Sequence, residues 1–357
     1  MPRTSMRALE IERLVEIGPD SEPLVLRHRP VPEPGPGEIL VEVAACGVCH
    51  TELDEIEGRT PPARLPMIPG HQVVGRVVAE GHGCVLGLLG RRVGVAWIHS
   101  ACGECRWCLE GRENLCPGFR ACGRDAPGGY AEFMTVAEAF ASPVPEALAD
   151  AEATPLLCAG AVGLRSLRLA ELRDGQPLGL TGFGASGHLV LQMARHLYPR
   201  SPVSVFARSE RERRFAIELG AAWAGDTEDT PPAAPAAIID TTPAWRPVLA
   251  ALAALAPGGT LVINAIRKEA KDAGLLADLD YDRHLWREKR VQSVANVTRA
   301  DVRRTLELAV EIPLRPRIER FALEDANRAL REIKAGHLRG AKVLVPGLAR
   351  QDHPGRA

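Results

Sequence analysis

From about residue 176 the chain alternates between short apolar runs and segments with helical spacing, and this alternation limits the possible folds more than any other feature. The apolar runs are PLGLTG, PVSVFA, AAIIDTT and TLVINAI. The helical segments between them are ASGHLVLQMARHL, SERERRFAIELG and VLAALAALAPGG. Alternation of this kind predicts a parallel sheet with helices on both faces, because parallel strands need crossover connections. We therefore predict an α/β fold for this part of the chain.

A glycine-rich loop follows the first of these predicted strands. The loop TGFGASG, at 181–187, contains Gly182, Gly184 and Gly187 with the spacing G-x-G-x-x-G. It lies between a predicted strand and a predicted helix, where glycines permit a tight turn and let a pyrophosphate approach the helix N-terminus. The pattern predicts a doubly wound, Rossmann-type parallel sheet that binds a dinucleotide.

The residues after the next strand indicate which dinucleotide binds. Enzymes that use NAD usually place Asp or Glu there, on the ribose hydroxyls. Here the strand is followed by Ala207, Arg208 and Ser209. None of these three residues carries a carboxylate that would repel a 2′-phosphate, and the Arg208 guanidinium can pair with such a phosphate. We favour NADP, and NAD is the alternative if Arg208 is only a solvated residue at the start of a helix.

The chain before about residue 155 has a different character, because it is rich in Gly, Pro and short β-like runs. VPEPGPGEILVEVAACG predicts a turn and then a strand at 38–45, and HQVVGRVVAEG and RRVGVAW predict further strands. This part is therefore predicted to be a β-rich domain, with a helix at 159–172 after it. Beyond about residue 300, DVRRTLELAVE and LEDANRALREIKAG predict helices, and AKVLVP predicts a last strand.

Four cysteines are crowded into a lobe at 99–118, in the segment CGECRWCLEGRENLC with the spacing C-x2-C-x2-C-x7-C. The four are Cys102, Cys105, Cys108 and Cys116. Short gaps let successive thiolates turn onto one ion, and closed four-cysteine sites are typical of structural zinc. We expect a structural zinc ion here; free cysteines and an iron–sulfur cluster are the alternatives.

Three further potential metal ligands, Cys49, His71 and Cys158, are far apart in the sequence. Two thiolates and one imidazole would leave one position of a tetrahedral zinc ion open, as catalytic sites require. Taken singly, Cys158 is equally well explained as a small buried side chain and His71 as a core histidine. The short motifs around these three residues, considered together, favour an open zinc site that assists hydride transfer.

These motifs together resemble the zinc-dependent alcohol dehydrogenases, which are zinc-containing medium-chain dehydrogenases. ACGVCHTELD (45–54), IPGHQVVGRVV (68–78), the cysteine lobe, LLCAG (156–160) and the glycine loop occur in the order found in that family. The resemblance implies three parts of the chain, in which the last returns to the first. They are a GroES-like catalytic domain at 1–158, a Rossmann nicotinamide-binding domain at 159–298 and a C-terminal segment at 299–357.

The same resemblance implies roles for residues around the zinc. Cys49, His71 and Cys158 would bind the catalytic ion, and water or the substrate oxygen would take the fourth position. The ion would act as a Lewis acid that lowers the pKa of an alcohol or polarises a carbonyl. Thr51 matches the hydroxyl that accepts the alcohol proton in the family. Asp54 stands where many relatives carry a His, so it either continues this proton relay or is merely solvated.

Other positions match the family pattern only in part or depart from it. His50 stands where relatives often contact the cofactor pyrophosphate, and a surface role is the alternative. Glu52 is expected to hydrogen-bond His71 and fix its tautomer, or to be a solvated carboxylate. Gln72 replaces the usual Glu after the zinc-binding His, which removes a negative charge near the ion. Ala341 replaces a usual Arg, and a neighbouring cation, Arg339 or Lys342, is a candidate substitute.

Composition excludes several other classes of function. The formal net charge is −1 and the pI is about 6.8, so we expect no nucleic-acid or membrane partner. The start of the chain lacks the apolar core of a secretory signal, and nine cysteines in tight or unpaired spacings favour a reducing, cytoplasmic setting.

The expected function is therefore hydride transfer between NAD(P) and a small alcohol, aldehyde or ketone, with two zinc ions per subunit. By the family resemblance, a homodimer or homotetramer is expected. Two alternatives stay open at this point. One is a dismutase-like relative with a permanently bound cofactor, and the other is a non-catalytic scaffold that binds zinc and nucleotide.

Overall fold

The structure is a computed structural model that describes residues 3–184, 186–312, 314, 316–336 and 340–349. Its contacts divide the chain into two compact units. The first unit holds the described residues of 1–158, 298–310 and 315–357, and the second holds those of 159–297 and 311–314. Among the described residues, no helix has the length and apolar character needed to cross a membrane.

Strands and helices are numbered along the chain. The strands are β1 (Ser5–Ile11), β2 (Leu24–Pro30), β3 (Glu38–Val48), β4 (Val73–Glu80), β5 (Arg92–Val95), β6 (Ile98–Ser100), β7 (Arg120–Ala121), β8 (Phe133–Ala137), β9 (Ala141–Pro143), β10 (Leu178–Thr181), β11 (Val203–Phe206), β12 (Trp223–Gly225), β13 (Ala237–Asp240), β14 (Thr260–Ile263), β15 (Arg290–Ser293), β16 (Ile318–Ala322) and β17 (Ala341–Val345). The α-helices are α1 (His50–Ile56), α2 (Arg106–Leu109), α3 (Asp150–Ala153), α4 (Ala159–Leu169), α5 (Gly187–Leu197), α6 (Glu210–Glu218), α7 (Arg246–Ala254), α8 (Tyr281–His284), α9 (Arg299–Glu311) and α10 (Ala326–Lys334). Short 3₁₀ segments occur at Glu113–Leu115, Glu138–Phe140, Thr154–Leu157, Ala270–Asp278 and Leu323–Asp325.

The first unit is built around a mostly antiparallel sheet with the strand order β16-β17-β3-β4-β5-β9, and β8 also pairs with β3. Eight of the eleven residues of the long strand β3 are buried, so most of this strand is covered on both faces. The late strand β17 pairs antiparallel with β3, with Lys342 opposite Val48 and Leu344 opposite Cys46. The end of β3 leads through Cys49 directly into α1, so the sheet fixes where this helix starts.

The second unit contains a parallel sheet with the strand order β12-β11-β10-β13-β14-β15. The four central strands are apolar runs that are buried on both faces or nearly so, as parallel strands covered by helices must be. The strand order reverses between β10 and β13, and ligands of such sheets bind at the carboxyl ends of the strands there. The predicted α/β class with a β-rich first part is confirmed.

The sequence analysis missed both edge strands of this sheet. β12 is only three residues long, and all four residues of β15 are exposed. Neither segment has the apolar pattern that identified the inner strands. Their pairing with a neighbour, rather than burial of their own side chains, places them in the sheet.

Candidate active site

The first candidate ligand, Cys49, is the N-cap of the short helix α1. Its Sγ accepts a hydrogen bond from the Thr51 backbone N–H at 3.4 Å, and the Glu52 carboxylate accepts one from the Cys49 N–H at 2.8 Å. This reciprocal pair is a capping box in which cysteine takes the place usually held by Ser or Thr. The cap fixes the direction of the thiol before any ion binds.

The second candidate ligand, His71, is held by the other oxygen of the same glutamate. Its Nδ1 lies 2.6 Å from Glu52 Oε1, and its Nε2 lies 3.7 Å from Cys49 Sγ. A carboxylate only accepts, so Nδ1 carries a proton, and Nε2, which faces Cys49, is the nitrogen that can bind an ion once it has lost its proton. The expected hydrogen bond between Glu52 and His71 is confirmed. One buried carboxylate therefore orients two candidate ligands from different parts of the chain.

The backbone before His71 is shaped by a glycine. Gly70 has φ +102°, and a Cβ there would come within 2.4 Å of the Tyr130 ring. Only glycine allows both this conformation and this close approach. Tyr130 is fully buried, so its ring fixes the loop that presents His71.

Cys158 completes the cluster. It directly follows the 3₁₀ segment Thr154–Leu157. The Sγ atoms of Cys49 and Cys158 and a ring nitrogen of His71 all lie within 4.8 Å of one another. Zinc–sulfur and zinc–nitrogen bonds of ordinary length, at a tetrahedral angle, place S and N about 3.6 Å apart, close to the separation found between Cys49 and His71. His71 is 1% exposed whereas both cysteines keep partial exposure, so the cluster has one open side.

Two of the three candidate ligands, Cys49 and His71, hold their protons tightly. A hydrogen bond with Cys158, then burial and the Glu52 charge, raise the pKa of Cys49 well above its usual value. Burial lowers the pKa of His71, but Glu52 and Cys49 raise it more, so the pKa lies well above its usual value. A metal ion binds only the deprotonated forms of these groups, so its binding would release protons.

The four-cysteine lobe forms a second, closed cluster. Its sulfur atoms are separated by 3.5 Å (Cys102 to Cys116), 3.7 Å (Cys105 to Cys108) and 3.9 Å (Cys102 to Cys108). Four sulfurs around one zinc ion at ordinary bond lengths are about 3.8 Å apart. The spacing therefore fits a single tetrahedral ion, whereas the cysteines of an iron–sulfur cluster bind separate iron atoms.

Local backbone contacts prepare this lobe for a metal. The backbone N–H groups of Cys105 and Glu104 donate to Cys102 and lower its pKa to about 6. Burial raises the pKa of Cys108 to about 12, so its thiolate needs the ion itself. Glu113 anchors the lobe to α9, because its Oε1 accepts from the Arg299 backbone N–H at 2.7 Å and from Arg299 Nε at 2.9 Å.

The other predicted residues of α1 have different surroundings. Thr51 is 8% exposed, and its backbone N–H donates to the Cys49 thiol two residues earlier. Asp54 is buried, and its carboxylate accepts a hydrogen bond from Arg59 Nε at 2.6 Å. His50 is exposed at the first turn of the helix. Thr51 is thus close to the cluster, Asp54 is held by an arginine, and neither relay role is tested by these contacts.

The positions that depart from the family pattern are also occupied in specific ways. Gln72 is buried, and a Cβ on Gly47 would come within 2.5 Å of its Oε1, so this glycine makes room for the amide. Lys342 Nζ pairs with Glu319 at 2.8 Å and also with Glu332, and both of these carboxylates belong to the first unit. Arg339 lies outside the described residues. Lys342 is therefore not a free cation for a pyrophosphate.

The glycine loop has the tight geometry that its sequence predicts. Gly182 has φ +79°, and a Cβ there would come within 2.8 Å of Thr241 Oγ1. A Cβ on Gly187, the first residue of α5, would come within 2.6 Å of the Gly182 carbonyl oxygen. Gly184 has open space around it, and Ala185 lies outside the described residues. The first and third glycines are required sterically, and the second leaves the loop surface clear.

Arg208 and Ser209 lie in the loop between β11 and α6, and one further arginine, Arg213, contacts this loop. Arg208 is exposed, and no hydrogen bond or ion pair to its side chain is found in the part of the chain that the structure describes. Arg213 Nη1 donates to the carbonyl oxygens of Ala207 at 2.8 Å and of Arg208 at 3.2 Å. Sequence reasoning treated Arg213 as a surface charge, because its spacing from the loop gave no sign of these contacts.

Comparison with known proteins agrees with this geometry. The sequence pattern of the alcohol dehydrogenase GroES-like domain matches residues 35–146. A probable alcohol dehydrogenase, AdhA, of Mycobacterium tuberculosis is 44% identical over 91% of this chain and 94% of its own length. An alcohol dehydrogenase of Geobacillus stearothermophilus is 33% identical over 86% of this chain and 91% of its own length.

A solved structure shares the fold over almost the whole chain. The cinnamyl alcohol dehydrogenase of Sorghum bicolor is 26% identical, with a TM-score of 0.80, over 98% of this chain and 100% of its own. Identity of this extent to the bacterial enzymes shows the family. The chain belongs to the alcohol dehydrogenases that carry a GroES-like domain.

Proposed function

We propose that this protein is a zinc-dependent alcohol dehydrogenase that transfers hydride between NAD(P) and a small alcohol, aldehyde or ketone. The observation that carries the proposal is the convergence of Cys49, His71 and Cys158, whose donor atoms lie within 4.8 Å of one another. The family membership supports the same reaction, since both bacterial relatives are named as alcohol dehydrogenases.

The donor set suits zinc with one open position. Two thiolates and a neutral imidazole are the ligands of known catalytic zinc in this type of enzyme. When bound, zinc supplies Lewis acidity to the oxygen of the alcohol or carbonyl. Glu52 holds His71 in the tautomer whose Nε2 is available as a ligand, and it holds the Cys49 backbone at the same time.

The proton of the alcohol needs a route out, and Thr51 is the proposed first acceptor. It is nearly buried and stands two residues after Cys49, whose Sγ accepts a hydrogen bond from the Thr51 backbone N–H. We also propose Asp54 as a later group in this route, although its contact with Arg59 equally suits a structural role for this carboxylate. Retained turnover and pH dependence in Asp54→Ala would restrict the route to Thr51.

We propose that the four-cysteine lobe holds a structural zinc ion. Its sulfur separations of 3.5–3.9 Å and the lowered pKa of Cys102 support a thiolate site for one ion. Because all four positions are filled by protein, this ion would stabilise the lobe without binding substrate.

NADP is the proposed cofactor, bound on the glycine loop with Arg208 and Ser209 at the adenosine ribose and His50 at the pyrophosphate. The absence of an acid directly after β11 and the free guanidinium of Arg208, among the described residues, support this preference. The ratio of kcat/KM for NADPH to that for NADH tests it. A ratio above one is expected, and we expect Arg208→Ala to lower it about tenfold or more, the effect of one charge-assisted hydrogen bond.

The assembly and setting follow from two further observations. β15 is an exposed sheet edge, and Val291 on it is 50% exposed; Trp286, four residues before this strand, is 55% exposed. An open edge of this kind pairs readily with a second copy around a twofold axis, so we propose a homodimer or a homotetramer built on it.

All nine cysteines are free thiols, which supports a reducing, cytoplasmic compartment.

One experiment tests the whole proposal. Purified protein is assayed for NADPH-dependent reduction of a panel of aldehydes and ketones, with and without a zinc chelator. We expect activity that the chelator removes and added zinc restores. Metal-independent turnover, or no turnover with any member of the panel, would contradict the proposal.

A further inference from the structure

A buried ion pair lies at the switch point of the parallel sheet. Asp240, the last residue of β13, is fully buried, and the Lys268 side chain is only 8% exposed. The Lys268 ammonium donates to Asp240 Oδ2, to the Thr242 carbonyl oxygen at 2.8 Å and to the Ala244 carbonyl oxygen at 3.1 Å. An ammonium group has three protons to donate, and all three have acceptors here.

The same carboxylate joins the ends of two strands. Asp240 Oδ1 accepts from Thr181 Oγ1 at 2.6 Å and from Thr242 Oγ1 at 2.8 Å. Thr181 is the last residue of β10 and directly precedes Gly182, the first glycine of the loop. Asp240 therefore ties the start of the glycine loop to the end of β13, the strand across the switch point.

Thr241 fills the space beside the first glycine. Its backbone N–H donates to the Thr181 carbonyl oxygen at 3.0 Å, and its Oγ1 donates to the same oxygen at 3.0 Å. Its hydroxyl also occupies the place that a Cβ on Gly182 would take. The turn at Gly182 is thus held from one side by residues 240–242.

We infer that Asp240 and Lys268 are positioning residues for the dinucleotide, because they fix the glycine loop against residues 240–242 before the pyrophosphate arrives. Neither side chain is available to touch the dinucleotide, since their charged atoms are already satisfied within the network. A loop held in its binding conformation loses less conformational entropy on binding. The inference rests on the proposed dinucleotide function and extends it to residues that sequence reasoning did not select.

The charge balance of the pair supplies a sharp test. Removing Lys268 alone leaves a buried carboxylate without its cation, which is strongly unfavourable. Replacing both residues by neutral ones removes that penalty. In the double variant Asp240→Asn with Lys268→Met, the asparagine carbonyl oxygen still accepts from Thr181 and Thr242. The double variant should therefore recover what the single variant loses.

The experiment measures NADPH and NADH affinity by calorimetry at a temperature where every variant is folded, together with Tm and zinc content. Lys268→Met should lower Tm by roughly 10 °C and raise the NADPH Kd about tenfold, with zinc content unchanged. The double variant should return to within about threefold of the wild-type Kd. Lys271→Met is the matched control, because this exposed lysine lies on the same segment, and its Kd should equal that of the wild type.

Three outcomes would overturn the inference. A Lys268→Met protein with lower Tm but unchanged Kd would reduce the pair to a stabilising contact. A double variant that binds NADPH no better than the single variant would refute the charge argument. Binding of NADPH and NADH to the wild type is therefore measured first. A wild-type protein that binds neither cofactor would overturn the proposed dinucleotide function and this inference with it.

Discussion

The two cysteine-containing clusters of the first unit differ in where their candidate metal ligands come from along the chain and in whether one side of the cluster is open. The lobe takes four candidate ligands from fifteen consecutive residues, Cys102 to Cys116, and backbone N–H groups of the same loop lower the pKa of Cys102. The other cluster takes Cys49, His71 and Cys158 from three segments, which only the fold brings together. A local site is closed by its own chain, whereas the distant one keeps an open side.

The two clusters also differ in what orients their candidate ligands. In the lobe, the backbone of the loop orients the four cysteines. In the open cluster a single carboxylate, Glu52, bonds the backbone of Cys49 and the ring of His71. The open cluster should therefore be sensitive to one residue that is not a ligand, and the lobe should not.

The largest expected effect is on turnover in Cys49→Ser. The loss of a ligand should remove the open-site zinc and lower kcat by about 10³-fold or more, since a Lewis acid contributes several kcal/mol to such a step. Zinc analysis should show that the lobe ion remains. Cys84→Ser is the matched control, because Cys84 belongs to neither cluster. Wild-type turnover in Cys49→Ser would remove this cluster from the mechanism.

A smaller effect is expected from Glu52→Gln. The amide keeps the size of the side chain but weakens its hold on His71 Nδ1–H, so zinc affinity of the open cluster should fall about 10–100-fold. Chelator competition measures this, and Glu104→Gln in the lobe serves as control because Glu104 is exposed. Equal zinc affinity in Glu52→Gln and the wild type would show that the fold alone orients the ligands.

Cys105→Ser tests the lobe by itself. Without its closed zinc site the lobe should lose order locally, and Tm should fall by a few degrees. The zinc of the open cluster should stay bound, so turnover per folded protein should change little. Hydrogen exchange confined to 99–118 would confirm a local effect. Loss of both zinc ions in this variant would mean that the two clusters are not independent.

The smallest effect concerns the residue after His71. Gln72→Glu adds a negative charge beside the open cluster, which makes the site less electrophilic. The group that controls the pH dependence of kcat should therefore lose its proton at higher pH, with its apparent pKa raised by roughly one unit or less. A pH–rate profile measures this shift. An unchanged or lowered pKa would show that the Gln72 amide serves only to pack against Gly47.

The features that could be predicted from the sequence are those that depend on residues close together in the chain. The spacing of the four cysteines, the inner strands of the parallel sheet and the glycine loop each depend on residues close together, so their patterns are visible without the fold. Cys49, His71 and Cys158 are not local, and it was the order of their motifs that identified them. Glu52 was expected beside His71 from the same match, but its second bond to Cys49 follows from the helix cap.

Other features could not be predicted, for identifiable physical reasons. β15 is fully exposed and so lacks the apolar pattern of a strand. Asp240 and Lys268 are separated by 28 positions, and nothing in their spacing indicates that the fold buries them together. Arg213 looked like one of several surface charges, and only the turn after β11 brings its guanidinium to two carbonyl oxygens.

Metal analysis of the wild type beside Cys49→Ser and Cys105→Ser tests the central claim most directly. If two separate clusters each hold one zinc ion, the wild type should contain two zinc equivalents per subunit and each variant one. Only Cys49→Ser should then lose turnover. A wild type with one equivalent, lost in Cys105→Ser and kept in Cys49→Ser, would contradict the claim that Cys49, His71 and Cys158 form a catalytic zinc site.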